Sequence, residues 1–375
     1  MAVTIIVEPN PGGHRFQYVR HVASLAAKST DVVLLTSRGA EASAEYDTFL
    51  RGLPIEVHEV FDEPLPATAA IAAKVADLCR GEAAPTVVVM DGDQLVKRWW
   101  LEAPRAFRGL PSRPEVILLL TRLPARLTFA DRIGWLHKLS KTALSLLAFA
   151  TRSAHRVLYI AGRDDLATGF LLRRVRDPAI CSAHARDRDA LRRRLDLPSD
   201  RRLVGILGGI NGRKNYPLVA AAVCRTATDV DLLLAGSPTP DVQAWLDDLP
   251  AGQRERVIVR TGFLSDNDLD GYVAACDVVA IAHENNAPSG IMGKAVAAGV
   301  PVLTAGSTVR AHECAALGAG VHTAMTEDGL AGGIRQLLGG DVARARRRGR
   351  MSLPTAEEFA EVILTGAPTK QAAPS

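Results

Sequence analysis

The chain has 375 residues, 47% hydrophobic and 23% charged, the balance of a soluble globular protein with length for two domains of ordinary size. Its 45 Lys and Arg against 41 Asp and Glu leave a net charge of +4; with no aromatic interleaving or base-reading motif, nucleic-acid binding is excluded. Five scattered cysteines form no CxxC pair, the opening MAVTIIVEPN lacks a signal peptide's basic region, and no apolar run nears the roughly eighteen residues of a membrane span, so a cytoplasmic protein with buried, reduced thiols is expected.

Val3–Val7 reads as a buried strand, followed by a turn, Glu8 to Arg15, that carries Gly12 and Gly13, and then by helical spacing over Phe16–Ala27. A glycine turn between the first strand and the first helix is where open α/β sheets hold ligands, but the GxGxxG dinucleotide fingerprint is absent. The glycines serve the turn in either case. Strands at Asp31–Thr36, Ile55–Val60, Thr86–Met90 and Glu115–Leu120 alternate with helices at Ala40–Leu50 and Ala67–Arg80, the pattern of βαβ units on a parallel sheet. The fourth strand ends at Asp91-Gly92-Asp93, where two carboxylates are either turn residues or a metal pair, and the fifth ends at Thr121-Arg122. Between Pro124 and Ala154, a stripe of Ile133, Leu136, Leu139, Ala143, Leu146 and Ala150 recurs at helical spacing. It packs either on the sheet or, with Lys97, Arg98, Trp99 and Trp100 upstream, against a membrane surface. Val157–Ile160 reads as the last strand of the first domain and Asp164–Arg174 as a helix. Arginine clusters at Arg173–Arg176, Arg192–Arg194 and Arg344–Arg350 read as solvated helix faces.

The aperiodic Val175–Ala185 connects to a second α/β domain, which opens with a basic helix at Asp187–Leu195. Leu203–Leu207 is a strand ending in Gly208-Gly209-Ile210-Asn211-Gly212-Arg213-Lys214-Asn215. Strands at Asp231–Ala235 and Val257–Arg260 follow, then Thr261-Gly262-Phe263-Leu264 and a helix at Asp268–Ala275. The stretch Asn286 to Thr304, NAPSGIMGKAVAAGVPVLT, runs from a polar loop with Ser289 and Gly290 into a helix that Gly299 and Pro301 stop. Free N–H groups, the positive end of the helix dipole and a glycine for close approach suit a phosphate there, with Lys294 as a fixed charge. Thr304–Arg310 reads as a loop, His312–Leu317 as a short helix and Thr355–Leu364 as the last helix.

The order LVGILGGINGRKNYPLVAAAV, VDLLLAGS, RVIVRTGFLSDNDLDGYVAACDVVAIAHE and then NAPSGIMGKAVAAGVPVLT resembles the C-terminal domain of GT-B-fold glycosyltransferases of family 4, which use nucleotide sugars with retention. The resemblance covers roughly residues 190–330 well and the N-terminal half in outline. It implies two Rossmann-like domains facing a cleft, 1–175 on the acceptor side and 186–352 on the donor side, with 353–375 crossing back to the first. It implies a nucleotide sugar as co-substrate, an acceptor hydroxyl of unspecified chemistry, no metal or other cofactor, and contact with the membrane periphery or with a partner transferase or second copy.

By the same resemblance Gly12, Gly13, His14 and Arg15 face the cleft, and Arg122 stands near the place of the family's sugar-contacting histidine. Lys214 takes the diphosphate lysine position. Gly209 stands where relatives carry an arginine, with Arg213 as the substitute, and Ser289 and Gly290 hold phosphate. Gly262, Phe263 and Leu264 lie beside the base. The family's two glutamates, eight positions apart, fall on Asn286 and Lys294, so both carboxylates are missing; Glu284 lies two residues before the first. A lysine cannot accept hydrogen bonds from ribose hydroxyls, which leaves Lys294 a phosphate role. The departure keeps two further readings open: a catalytically silent partner subunit, and an enzyme whose sugar donor is a lipid phosphate.

Overall fold

The computed structural model describes residues 2–13, 15–123, 127, 131–160, 162–164, 172–262, 264–284, 289–339 and 352–367. The chain divides into two compact units. The first comprises Met1–Ala161, Leu166–Asp177 and Thr355–Ser375; the second comprises Gly162–Asp165 and Pro178–Pro354.

In the first unit, β1 (Val3–Val7), β2 (Asp31–Ser37), β3 (Glu56–Phe61), β4 (Thr86–Val89), β5 (Glu115–Leu120), β6 (Arg156–Ile160) and β7 (Arg173–Val175) form one sheet in the order β3-β2-β1-β4-β5-β6-β7. Every pairing is parallel. The strands are near-continuous apolar runs because helices cover both faces. Ile5, Val7, Val87, Val89, Leu118 and Leu120 join one core, while Ile6, Leu34, Val88, Ile117 and Leu119 join the other. Each such side chain contributes about 1.5–3 kcal/mol on burial.

The helices are α1 (Arg15–Ala26), α2 (Ala44–Phe49), α3 (Thr68–Cys79), α4 (Gly92–Ala106) and α5 (Arg132–Ala150). The sequence pattern missed α4, whose Gly92 packs closely on β5: an added Cβ would stand 3.0 Å from the Leu119 carbonyl oxygen. Trp99, which the membrane-surface alternative included, is fully buried on α4, and its Nε1 donates to the Ser153 carbonyl at 2.8 Å. β7 replaces the end of the expected Asp164–Arg174 helix, because Arg173 to Val175 pair with β6 as an edge strand. Residues 165–171 of that helix lie outside the described residues, as does the Arg344–Arg350 cluster.

In the second unit, β8 (Arg202–Leu207), β9 (Val230–Gly236), β10 (Val257–Thr261), β11 (Val278–His283), β12 (Val302–Gly306) and β13 (Gly320–Thr323) form a parallel sheet in the order β10-β9-β8-β11-β12-β13. Its helices are α6 (Arg188–Arg194), α7 (Tyr216–Cys224), α8 (Pro240–Asp247), α9 (Ala251–Arg254), α10 (Asp266–Ala275), α11 (Gly290–Ala298), α12 (Thr308–Leu317) and α13 (Glu327–Leu338). The expected loop over Thr304–Arg310 is instead the end of β12 and the start of α12, capped by Ser307, whose Oγ accepts from the Arg310 N–H at 3.4 Å. Arg192 is not on a solvated face: its Nη2 meets Asp277 at 2.6 Å, and its Nε donates to the Ala275 carbonyl at 3.0 Å.

The last helix, α14 (Ala356–Thr365), belongs to the first unit. Thr355 and Glu358 close a reciprocal capping box at its start. Phe359 stacks on Tyr18 of α1, with ring centroids 5.2 Å apart.

Candidate functional site

Strand order reverses between β1 and β4 in the first unit and between β8 and β11 in the second. The carboxyl ends of strands at such a reversal open a crevice, because the two connections leave in opposite directions.

At the first reversal, Glu8 follows β1 and Asp91 follows β4. Arg15 joins them: its Nη1 lies 3.2 Å from Glu8 Oε1 and 2.6 Å from Asp91 Oδ2. Arg15 is therefore engaged within its own unit. Glu8 also accepts from the Asn10 N–H at 3.0 Å. Burial raises the Glu8 carboxyl to about 7 against the pull of Arg15. Gly12 donates to Asn10 Oδ1 at 2.9 Å, and Gly13 takes φ 74°, a left-handed turn that suits glycine. His14 lies outside the described residues.

Asp93 faces the other way from Asp91. It accepts from the N–H groups of Thr121 at 2.6 Å and Arg122 at 2.9 Å, from the Thr121 hydroxyl at 3.0 Å, and from Lys141 of α5. Asp93 thus pins the end of β5, and the two carboxylates considered as a metal pair are taken by two different cations. Among the described residues, no cluster of three or more His, Cys, Asp or Glu could hold a metal ion. Arg122 is exposed at the strand end, with its backbone on Asp93 and Lys141.

At the second reversal the charges are of one sign. The loop after β8 places Gly208 at φ 84° and turns at Gly212–Lys214. Gly236 on β9 allows that loop to pass, since a Cβ there would lie 2.0 Å from the Gly208 carbonyl oxygen. Lys214 folds back so that its ammonium donates to the Leu207 carbonyl. Among the described residues no carboxylate pairs with it. Burial, then the neighbouring Arg213, pushes its pKa down to about 8. Asn215, left-handed at φ 47°, donates from Nδ2 to the Ala282 carbonyl at 2.8 Å, tying the loop to the last turn of β11.

The next residue, His283, was not singled out from the sequence. Its Nδ1 is buried without a hydrogen-bond partner among the described residues. Burial, then Arg310, Lys214 and Arg213, push its pKa down to about 4. Arg310 on α12 is itself lowered to about 10, first by burial, with Glu313 opposing and Arg163 adding to the shift.

The N-terminus of α11 completes the group. Ser289 is its N-cap, and its Oγ accepts from the Met292 N–H at 3.3 Å. Ile291, in the first turn, and the Lys214 ammonium both lie close to Gly208: a Cβ there would stand 3.6 Å from Ile291 Cδ1 and 3.7 Å from Lys214 Nζ. Arg163, fully buried, donates to the Ser289 carbonyl at 3.0 Å and to Glu313 Oε1 at 3.1 Å. Gly293 leaves room for it, since a Cβ there would fall 2.4 Å from Arg163 Nη2. Sequence reasoning had no signal for Arg163 or Arg310, because each works through a neighbour remote in the chain.

Lys294 corrects its expected phosphate role. It is buried, and its ammonium meets Asp266 Oδ1 and Asp270 Oδ1 of α10, each at 2.6 Å. Burial lowers its pKa, but the two carboxylates more than reverse this and hold it above the usual lysine range. The charge that the sequence assigned to a ligand is spent on α10. Gly209, Gly290 and Glu284 are exposed, and Arg213 keeps its guanidinium beside Asn211. Gly262 donates to the Gly236 carbonyl at 3.0 Å, and Leu264 packs against the core beneath α10. Phe263 and Asn286 lie outside the described residues.

No known family profile matches the chain, and no curated protein sequence matches it. Solved structures do. Anabaena HepE in complex with UDP-glucose is 16% identical, covering 96% of this chain and 95% of its own, with a TM-score of 0.65. A glycosyltransferase from Rickettsia africae is 12% identical over 98% of this chain and 99% of its own, with a TM-score of 0.63. WaaG, a glycosyltransferase involved in lipopolysaccharide biosynthesis, is 17% identical over 98% and 100%, with a TM-score of 0.60. Together with the two parallel-sheet units, these likenesses establish the GT-B fold.

Proposed function

We propose that this protein is a glycosyltransferase that takes a sugar from a nucleotide-sugar donor to an acceptor hydroxyl, with retention at the anomeric carbon. The observation that carries the reading is the strand reversal of the second unit. There Lys214 has no carboxylate partner among the described residues, His283 is held neutral by burial and then by Arg310, Lys214 and Arg213, and a helix N-terminus lies beside them. A lysine whose pKa is lowered by burial and by a neighbouring arginine suits an anion, because a bound anion offsets that penalty. Complexes of HepE with UDP and with UDP-glucose add support for a nucleotide sugar as that anion.

In this reading Lys214 and Arg213 stabilise the two charges that develop on the leaving diphosphate, and the N–H groups of α11 at Ser289 and Gly290 hold its oxygens. Gly209 leaves the approach open. Gly262, Phe263, Leu264 and Glu284 flank the nucleoside. Asn286, His14 and Arg122 are assigned to the sugar and acceptor. The leaving diphosphate oxygen takes the acceptor proton on the face from which it departs, so the new bond forms with retention. The positive charge is supplied by the protein, and no metal is required. The lipid-phosphate alternative loses its main support, since Lys294 is neutralised by Asp266 and Asp270.

The test is thermal unfolding against a panel of nucleoside diphosphates and nucleotide sugars with chelator present. A ligand that binds only the folded state at a hundredfold excess over its Kd stabilises by about 2.7 kcal/mol, which raises the midpoint by several degrees. A shift with one base, followed by transfer with the corresponding sugar, bears the proposal out. A shift without turnover against any acceptor tried points to the silent partner subunit, and no shift at millimolar ligand removes the nucleotide-sugar reading.

A further inference from the structure

The helical stripe of α5 points away from the sheet. Of the seven exposed large hydrophobic side chains among the described residues, six lie on this helix: Ile133, Trp135, Leu136, Leu139, Leu146 and Leu147. Ile133 is 71% exposed, Leu136 66% and Leu139 61%. The side chains it buries are small, Gly134, Ser145 and Ala148. A surface helix of a globular protein ordinarily does the reverse. Contiguous apolar patches of this kind mark an interaction face rather than scattered surface residues.

The charge on the same helix selects the occupant. From Arg132 to Ala150 there is no Asp or Glu, while Arg132, His137, Lys138 and Lys141 are present. Lys141 is spent on Asp93, which leaves Arg132 and Lys138 beside the apolar face. Lys138 sits over the Trp135 ring, 5.8 Å from its centroid. α4, packed along α5, adds exposed Lys97 and Arg98. A second copy docking face to face would bring a surface with the same excess of positive charge and no carboxylate of its own helix to offset it. An anionic surface instead attracts all of them. No helix among the described residues is long and apolar enough to cross a membrane, so the helix would lie in the interface.

We propose that α5 is a peripheral anchor that lays Ile133, Leu136, Leu139, Leu146 and Leu147 into the headgroup layer of an anionic phospholipid membrane. The aliphatic side chains reach the acyl boundary, Trp135 sits at headgroup depth, and Arg132 and Lys138 extend their charged ends to lipid phosphates. The first unit is thereby held on a membrane surface.

The experiment is co-sedimentation of the full chain with phosphatidylcholine vesicles, with and without phosphatidylglycerol. Binding is expected only with the anionic lipid and weakens as salt rises. Ile133→Ser/Leu136→Ser/Leu139→Ser loses at least about tenfold in affinity, and Arg132→Glu/Lys138→Glu loses a similar factor. The triple variant keeps the wild-type thermal midpoint, because its altered side chains are exposed; the charge variant changes exposed Arg132 and half-buried Lys138, and its midpoint shifts by no more than a few degrees. Absence of binding to anionic vesicles overturns the proposal, as does undiminished binding by the triple variant. A wild-type dimer in light scattering that the triple variant converts to monomer also overturns it, assigning the face to a second copy.

Discussion

The two strand reversals share a topology and differ in their charge balance. In the first unit Glu8 and Asp91 converge on Arg15, and Asp93 takes Lys141, so each buried charge has a partner of opposite sign. In the second unit Lys214, Arg213 and His283 gather with no carboxylate among the described residues to pair with Lys214 or His283. Topology opens a crevice at both places; the proposed anion site rests on the difference in charge balance between them. An internally paired reversal is a rigid platform, whereas an unpaired one gains by binding.

The contrast sharpens further inside the second unit, where Lys294 is paired with carboxylates and Lys214, among the described residues, is not. Lys294→Met leaves Asp270 buried without its cation, and a loss of about 3–5 kcal/mol of stability is expected. Chemical denaturation checks it, and the further change Asp270→Asn recovers part of the loss. Lys214→Ala has the opposite profile. Turnover falls roughly a hundredfold or more, the worth of a positioned charge on the leaving group, while the thermal midpoint holds or rises. Equal turnover in wild type and variant would break the comparison.

The pH dependence of donor affinity in the wild type separates the two lysines again. With Lys214 near 8 in the free protein, a bound anion raises its pKa, so binding takes up a proton and weakens as pH rises above about 8. Calorimetry in buffers of different ionisation heat reads that uptake, and Lys214→Ala abolishes it.

The smallest effect belongs to the paired reversal. Glu8 is raised from 4.5 to about 7, so between those values the folded state holds a proton that the unfolded state has lost. Stability therefore falls as pH rises through that window. Glu8→Gln keeps an oxygen for Arg15 and Asn10 and removes the ionisation. It gains about 1–3 kcal/mol at pH 8, and the gain fades toward pH 5 in denaturant titrations.

Much of the fold was legible in the chain. Apolar runs such as Val3–Val7 and Glu115–Leu120 announce buried parallel strands, and Gly299 marks the end of α11, where it takes φ 80°. α4 was not legible, because Gly92 and Pro104 break its helical pattern and tertiary packing on β5 overrides them. The turn carrying Lys214 was legible because loop glycines, an adjacent arginine and a following helix are local features. His283 was not, since a lone histidine at a strand end is silent until Arg310 and Lys214 are brought near it.

The chain by itself determined the alternation of strands and helices and the glycines at the turns. These depend on side-chain size, period and backbone freedom over a few neighbouring residues. The strand order, and with it the two reversals, came from the structure. Which charges meet was decided only in the tertiary structure. Arg15 is neutralised by Asp91, Lys294 by Asp270, and Lys214 by neither, and α5 buries Gly134, Ser145 and Ala148 while its apolar stripe faces outward. Coulomb energy and burial depend on distances between residues far apart in sequence, so one lysine is a structural pin in a helix while another, in a loop, has no carboxylate partner among the described residues.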